Sequence, residues 1–455
     1  MRINRKAGPT SLLPQWRWQR PGLVRNSPRV SRLWKAIISV LFILAALHFL
    51  DNFQKHRAEL AIKYTPTKFG RFSAMIEMSL KDHGWQRDGG PPPNEIGERY
   101  SREDTLAHQD EWEHLGRGFE GRVFKYHENV IKVFSSERAP LRNCMPGSKP
   151  RLRWPTEIPA SLILGGLVSE QRSQNNSGFL PVVDYYLSPS TGFEAGEWHL
   201  VTPFLPLGNL GKLAHQLRRS GISYAARELD IMFRPSIERL LEVLGGIHMD
   251  SGLCHDDVKL DNIFLGSSQP VLDTSNLKAG SVTEWLLGDL GNVRERDHPY
   301  HSSNLWTLSG NLLDCRANDV LRLLKVYMAF LRESMAEPAT FDEEFFQDSQ
   351  PWSKLFWSVW EDAQEGRGLS ASSALELSRN TAHRPTDKPR ENAYIDRQPR
   401  SRWDFLWRMI AGNSVARHWA VKKTLRISAG DAVARKWGLV LLLSVPRGAC
   451  DADTL

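Results

Sequence analysis

Residues Ile247–Leu265 read IHMDSGLCHDDVKLDNIFL. The apolar spacing of Leu240, Leu241, Leu244 and Ile247 predicts a helix that runs into this stretch and stops at the Ser251-Gly252 turn. A polar loop follows, His255-x-Asp257-x-Lys259-x-x-Asn262, set between two apolar stretches. Each residue type in that spacing has a chemical use. Asp257 can accept a proton from an attacking hydroxyl, and Lys259 can neutralise a phosphoryl group in transfer. Asn262, five positions after Asp257, can face a metal ion.

Working outward, Trp285–Asn292 reads WLLGDLGN. Asp289 follows an apolar strand and precedes a glycine, which places a hard oxygen ligand where Mg²⁺ could be held. Alone, Asp-x-Gly is ordinary turn chemistry; after the Asp257 loop it carries more weight. Upstream, Gly116, Gly118 and Gly121 form GxGxxG, followed by Val123. A dinucleotide site would need a helix to begin at these glycines. Instead, Arg122–Tyr126 has β character, a polar turn follows, and Val130–Phe134 reads VIKVF. That is strand, turn, strand, with the glycines as a flap able to lie over phosphates. Lys132 stands alone among four apolar residues, either as a phosphate clamp or as an edge lysine reaching water.

Taken together, these residues resemble the eukaryotic protein kinase superfamily over roughly residues 111–378. The resemblance implies an α+β, bilobal protein kinase-like fold, with a small β-rich lobe (111–205) and a larger helical lobe (206–378). It also implies ATP and Mg²⁺ as cofactors and a protein substrate phosphorylated on Ser/Thr hydroxyls. By position, Gly116, Gly118, Gly121 and Val123 form the glycine-rich loop, and Lys132 is the phosphate-binding lysine. Asp257 is the catalytic base beside Lys259 and Asn262, and Asn262 and Asp289 are the metal ligands. Adenine would meet the backbone near Pro203, Phe204 and Leu205. The glutamate that pairs with Lys132 is Glu157, favoured over Glu170 because Ile158, Leu162 and Leu164 continue an apolar face behind it. Pro159 then requires the helix to start close by.

There are departures from the family pattern. Asp256 stands where the family has an arginine that binds a phosphorylated loop, so activation by loop phosphorylation is not expected. Leu290 replaces a phenylalanine, an insertion separates Asn262 from Asp289, and no APE motif follows. Asp319, opening an amphipathic helix, is the candidate for the family's buried helix aspartate. Two other readings stay open: a pseudokinase that serves as a scaffold with residual nucleotide binding, and a kinase-fold enzyme that phosphorylates a glycan or other small molecule.

The formal charge of the 455-residue chain, +7, is unevenly placed. Residues 1–50 carry nine Lys/Arg and no Asp/Glu, residues 51–378 carry 35 against 45, and residues 379–455 carry 15 against seven. The middle is acidic, so a nucleic-acid partner is not expected. The four cysteines (Cys144, Cys254, Cys315, Cys450) form no CxxC or Cys/His cluster. Free buried thiols are favoured over a zinc site, and a disulfide between distant cysteines stays open.

Leu33–Leu50 is an apolar run after a basic segment (1–32) and reads as a single membrane-spanning signal anchor. Residues 51–110, with GGPPP at Gly89–Pro93, read as a stalk, and 379–455 as a basic, disordered tail. Only Lys55, Arg57, Lys63, Lys68 and Arg71 follow the apolar run closely. The balance therefore favours a cytosolic N-terminus and a luminal kinase-like domain, in keeping with a sequon at Asn175-Asn176-Ser177.

Overall fold

The computed structural model describes residues 28–70, 101–118, 120–134, 141–145, 152–167, 178–188, 196–266, 284–382 and 402–427. The chain is mixed α+β, as expected, and divides into two units, Met1–Lys55 and His56–Leu455. The first holds most of helix α1 (Pro28–Lys63). Its apolar side chains, among them Leu41, Phe42 and Leu44, are exposed, and the helix is long and apolar enough to cross a membrane. It continues past the expected Leu50 boundary because residues 51–63 are mostly good helix formers. Asp51 and Lys55 also pair at 2.7 Å one turn apart.

In the second unit, part of the segment expected to form a stalk is packed against the body. Leu60, Tyr64 and Phe69 are buried. Helix α2 (Arg102–Ala107) is held by Arg102, which pairs with Asp184 at 2.7 Å. The stalk reading is thus corrected for residues 59–69 and 101–107, where Leu60, Tyr64, Phe69 and Leu106 find a core, while GGPPP lies outside the described residues.

Strands β1 (Glu113–Arg117), β2 (Gly121–Tyr126) and β3 (Asn129–Phe134) form the first part of a five-stranded sheet. A small ribbon, β4 (Asn143–Cys144) with β5 (Arg153–Trp154), leads to helix α3 (Glu157–Leu164). Strands β6 (Asp184–Ser188) and β7 (Glu197–Pro203) complete the sheet in the order β1-β2-β3-β7-β6, antiparallel throughout. Alternation along β3 decides which side chain faces what. Ile131 and Val133 join Tyr126, Tyr186 and Val201 on one face, covered by Leu106 and Trp112. Lys132 and Phe134 therefore point to the other face, where Phe134 joins the main core.

The rest is mainly helical. Helix α4 (Leu210–Arg219) is capped by Asn209, whose side chain accepts from Lys212 N at 3.0 Å. Helix α5 (Ala226–Gly246) is followed by four short strands: β8 (Leu253–Cys254), β9 (Ile263–Leu265), β10 (Trp285–Leu287) and β11 (Arg294–Glu295). These pair as β9 with β10 and β8 with β11. After α6 (Asn304–Leu308) comes α7 (Cys315–Ser334), buried nearly all round as befits a central helix. Helices α8 (Pro338–Gln347), α9 (Pro351–Glu365) and α10 (Ala371–Ala382) pack around it, with Phe345, Trp352 and Tyr327 in the shared core.

Two expectations are corrected here. The tail contains helix α11 (Arg402–Leu425), and Ala416, Ala420, Val421 and Leu425 seat one face of it on the body. The Arg- and Pro-rich composition that suggested disorder belongs to residues 383–401, outside the described residues, and does not extend over α11. The cysteines are not free thiols: Cys254 in β8 is bonded to Cys315 at the start of α7, and Cys144 is also disulfide-bonded. Spacing in sequence could not bring together cysteines 61 residues apart.

Candidate active site

The glycine motif folds as a hairpin. Gly116 pairs with Val123 across β1 and β2, and Gly118 N donates to Gly121 O at 2.9 Å. No helix starts there, which removes the dinucleotide geometry. Gly121 has no room for a side chain, since a Cβ would lie 2.0 Å from Val133 O. Below this flap is a cavity of about 540 Å³. All the site residues expected from the sequence line it except Gly116, which lies within β1. Glu170 and the sequon lie outside the described residues.

Lys132 is at the centre of the cavity's charge. Its ammonium donates to Glu157, the first residue of α3, and to Asp289 at 3.0 Å, with Glu120 at 3.8 Å. Pro159 is accommodated because α3 begins only two residues before it. Burial alone would pull the Lys132 pKa down. The Asp289, Glu157 and Glu120 carboxylates outweigh that and hold it well above the ordinary lysine value. Burial raises Glu157 to about 7, offset only in part by Lys132. Asp289 is also buried, but Lys132 and Lys259 hold its carboxyl well below the usual range. The oxygens of Glu120, Glu157 and Asp289 approach within 4.8 Å of one another, an all-oxygen set suited to a hard divalent cation.

The polar loop sits opposite. Lys259 Nζ donates to Asp257 Oδ2 at 2.8 Å and lies 3.6 Å from Asp289. Asn262 Nδ2 donates to the Asp257 carbonyl at 2.9 Å, so its oxygen end is the one suited to a cation. Asp319, fully buried on α7, fixes the loop backbone by accepting from His255 N at 2.7 Å and Asp256 N at 3.0 Å. Asp256 and Asp289 both adopt left-handed backbone, with φ of 63° and 57°, a conformation uncommon outside glycine, and the Asp319 bonds fix it at Asp256. At the far end, Phe204 N already donates to Glu128 O at 2.7 Å, so that amide is engaged at the end of the β3–β7 pair.

Asp256 is a buried carboxylate that pairs with Arg294 and His301. Its Oδ2 accepts from Arg294 at 3.1 Å and from His301 at 2.9 Å, and its carbonyl accepts from Arg322 at 2.6 Å. Burial pushes the Asp256 carboxyl up, but His301, Arg294 and Arg322 win and hold it well below the usual range.

Several residues in or at the cavity were not anticipated. Asn292 donates to Asp257 Oδ2 at 3.3 Å, and Glu120 faces Lys132 from the flap. Lys63 and Tyr64 line the cavity from the end of α1. Glu120 falls inside the glycine motif and Asn292 directly follows Asp289-Leu290-Gly291, so position in the motifs could have flagged both. Nothing local marks Lys63 or Tyr64, which reach the site only through tertiary packing. No known protein-family model matches the chain, and no curated protein matches it.

Proposed function

We propose that the protein is a membrane-anchored, ATP- and Mg²⁺-dependent protein kinase that phosphorylates Ser/Thr hydroxyls. Its scaffold is a bilobal kinase-like one in which residues 111–205 and 206–378 enclose the cleft. The observation that carries this reading is the convergence of Lys132, Glu157, Asp289, Asp257, Lys259 and Asn262 on one cavity from separate parts of the chain. The donor set fits the cofactors: two lysines for phosphate oxygens, and the Asp289 carboxylate with the Asn262 amide oxygen for a hard cation.

ATP, bound with Mg²⁺, supplies the phosphoryl group. Asp257 accepts the proton of the acceptor hydroxyl as its oxygen bonds to phosphorus and the bond to the leaving ADP oxygen breaks. Lys259, 2.8 Å from Asp257 and 3.6 Å from Asp289, neutralises charge on the group in transfer. Lys132, oriented by Glu157, holds the remaining phosphates. Asp256 supports activity without loop phosphorylation, because its charge is inverted relative to the family arginine and it binds Arg294 directly.

The Cys254–Cys315 disulfide supports placing this domain in an oxidising compartment, together with the basic N-terminal segment expected to stay cytosolic. The test is transfer of label from radiolabelled ATP by the full-length chain in detergent, with protein, peptide and glycan acceptors compared. Asp257→Ala should abolish transfer while leaving ATP binding within about threefold. Equal phosphorylation by mutant and wild type would sink the assignment, and success with glycans alone would move the acceptor to the small-molecule class.

A further inference from the structure

Arg142 and Arg294 are both buried, at 3% and 1% exposure. Two buried guanidiniums repel each other unless acceptors intervene. The carbonyl of Lys63, last residue of α1, accepts from both, at 3.4 Å from Arg142 and 3.2 Å from Arg294. Carbonyls in the last turn of a helix carry partial negative charge, so the helix end acts here as a weak anion. The same arginines reach the site. Arg142 donates to Gly291 O at 2.9 Å, directly beside the Asp289-Leu290 turn, and to Thr156 Oγ1 at 2.6 Å, the residue before Glu157. Arg294 continues to Asp256 and to Asn292 O.

The contact extends past Lys63. Thr67 Oγ1 donates to Val293 O at 2.9 Å, and its carbonyl accepts from Asn143 Nδ2 at 2.7 Å. Lys68 N donates to Glu295 at 3.0 Å, and Glu59 accepts from Leu305 N at 3.1 Å. One stretch of chain is thus bonded both to the ribbon that precedes the Glu157 helix and to the segment after Asp289.

We propose that Glu59–Phe69 is a built-in activating strap, a positioning element that locks the Glu157 helix and the Asp289–Asn292 turn together. It would fill the role that a phosphorylated loop plays in kinases regulated that way. The activity part of this inference rests on the phosphotransfer reading above; the structural part does not. The strap lies within the second unit, which begins at His56.

The experiment compares full-length wild type with Thr67→Val, Thr67→Ser and the double variant Glu59→Ala/Thr67→Val in detergent, by hydrogen exchange and by kinetics. The double variant should exchange faster over residues 152–164 and 289–298 while α7 stays protected. Its kcat should fall at least about tenfold, equivalent to about 1.4 kcal/mol. Thr67→Val, which removes one hydroxyl and keeps the shape, should show the same pattern more weakly if the double variant does not fold, and Thr67→Ser should restore both readouts. Unchanged exchange at both segments overturns the strap, as does faster exchange with unaltered kcat. If wild type transfers no phosphate, the phosphotransfer reading fails, and the exchange pattern alone decides whether the strap links the two segments.

Discussion

At the residue scale, Asp256 is an anion buried among basic side chains. Asp256 survives burial because His301, Arg294 and Arg322 surround it, and His301 in turn gains a partner. Burial lowers the His301 pKa, but Asp256 raises it further, so in the folded protein it titrates above the ordinary 6.5. A histidine raised in this way contributes stability that is fully present below its unfolded pKa and is lost as pH rises through its folded pKa. Each unit of such a shift is worth about 1.4 kcal/mol. His298 and His199, held neutral by burial at about 3 and about 4, push the opposite way below pH 6.5, so the pair difference is the useful quantity. The stability gap between wild type and His301→Gln should be larger at about pH 5.5 than at about pH 9. Urea titrations at the two pH values check it; an equal gap at both would remove His301 as a proton-linked partner of Asp256.

At the element scale, α11 shows how one face of a helix joins a core that composition did not reveal. Val421 is fully buried, whereas Trp419, two residues away, is 63% exposed. His418 and Arg417 add polar contacts to the body, with His418 Nδ1 3.1 Å from Asp342 and Arg417 3.4 Å from Glu343. Cavity formation makes Val421→Ala cost about 2 kcal/mol, while Trp419→Ala should stay within about 0.5 kcal/mol. Chemical denaturation of the solubilised chain distinguishes the two; if Trp419→Ala proves the costlier change, the described face of α11 is not the seated one. The glycine hairpin makes a similar point. Its strand–turn–strand reading was available from residue types, but that Gly121 lies against Val133 O was not, because that approach is set by the pairing of β2 with β3.

At the scale of the whole molecule, the disulfides and the apolar N-terminal helix bear on the same question. A bond between Cys254 and Cys315 ties the strand before the polar loop to the central helix, and oxidising compartments are where such bonds persist. If the N-terminus is cytosolic, the body from residue 56 onward should resist added protease in intact microsomes and lose that protection when detergent opens them. Digestion of the body in sealed microsomes would place it on the cytosolic side. The same orientation would keep the strap and the body together on one side of the membrane, as the bonds between Lys63 and Arg142 and Arg294 require.

Much of the candidate site could be read from the chain because its chemistry is local. Asp257, Lys259 and Asn262 sit within six residues of one another, the glycines and Lys132 span three consecutive strands, and Asp289 carries its own turn signal. Strand alternation was enough to turn Lys132 away from Ile131 and Val133. Long-range contacts decided the rest. The pairing of Lys132 with Glu157 spans 25 residues, that of Arg294 with Lys63 spans 231, and the disulfide spans 61. Apolar periodicity and turn chemistry act over a few residues and say which face of an element is buried. They do not say which distant element covers it, and so residues 56–70 read as a stalk until packing showed them against the site.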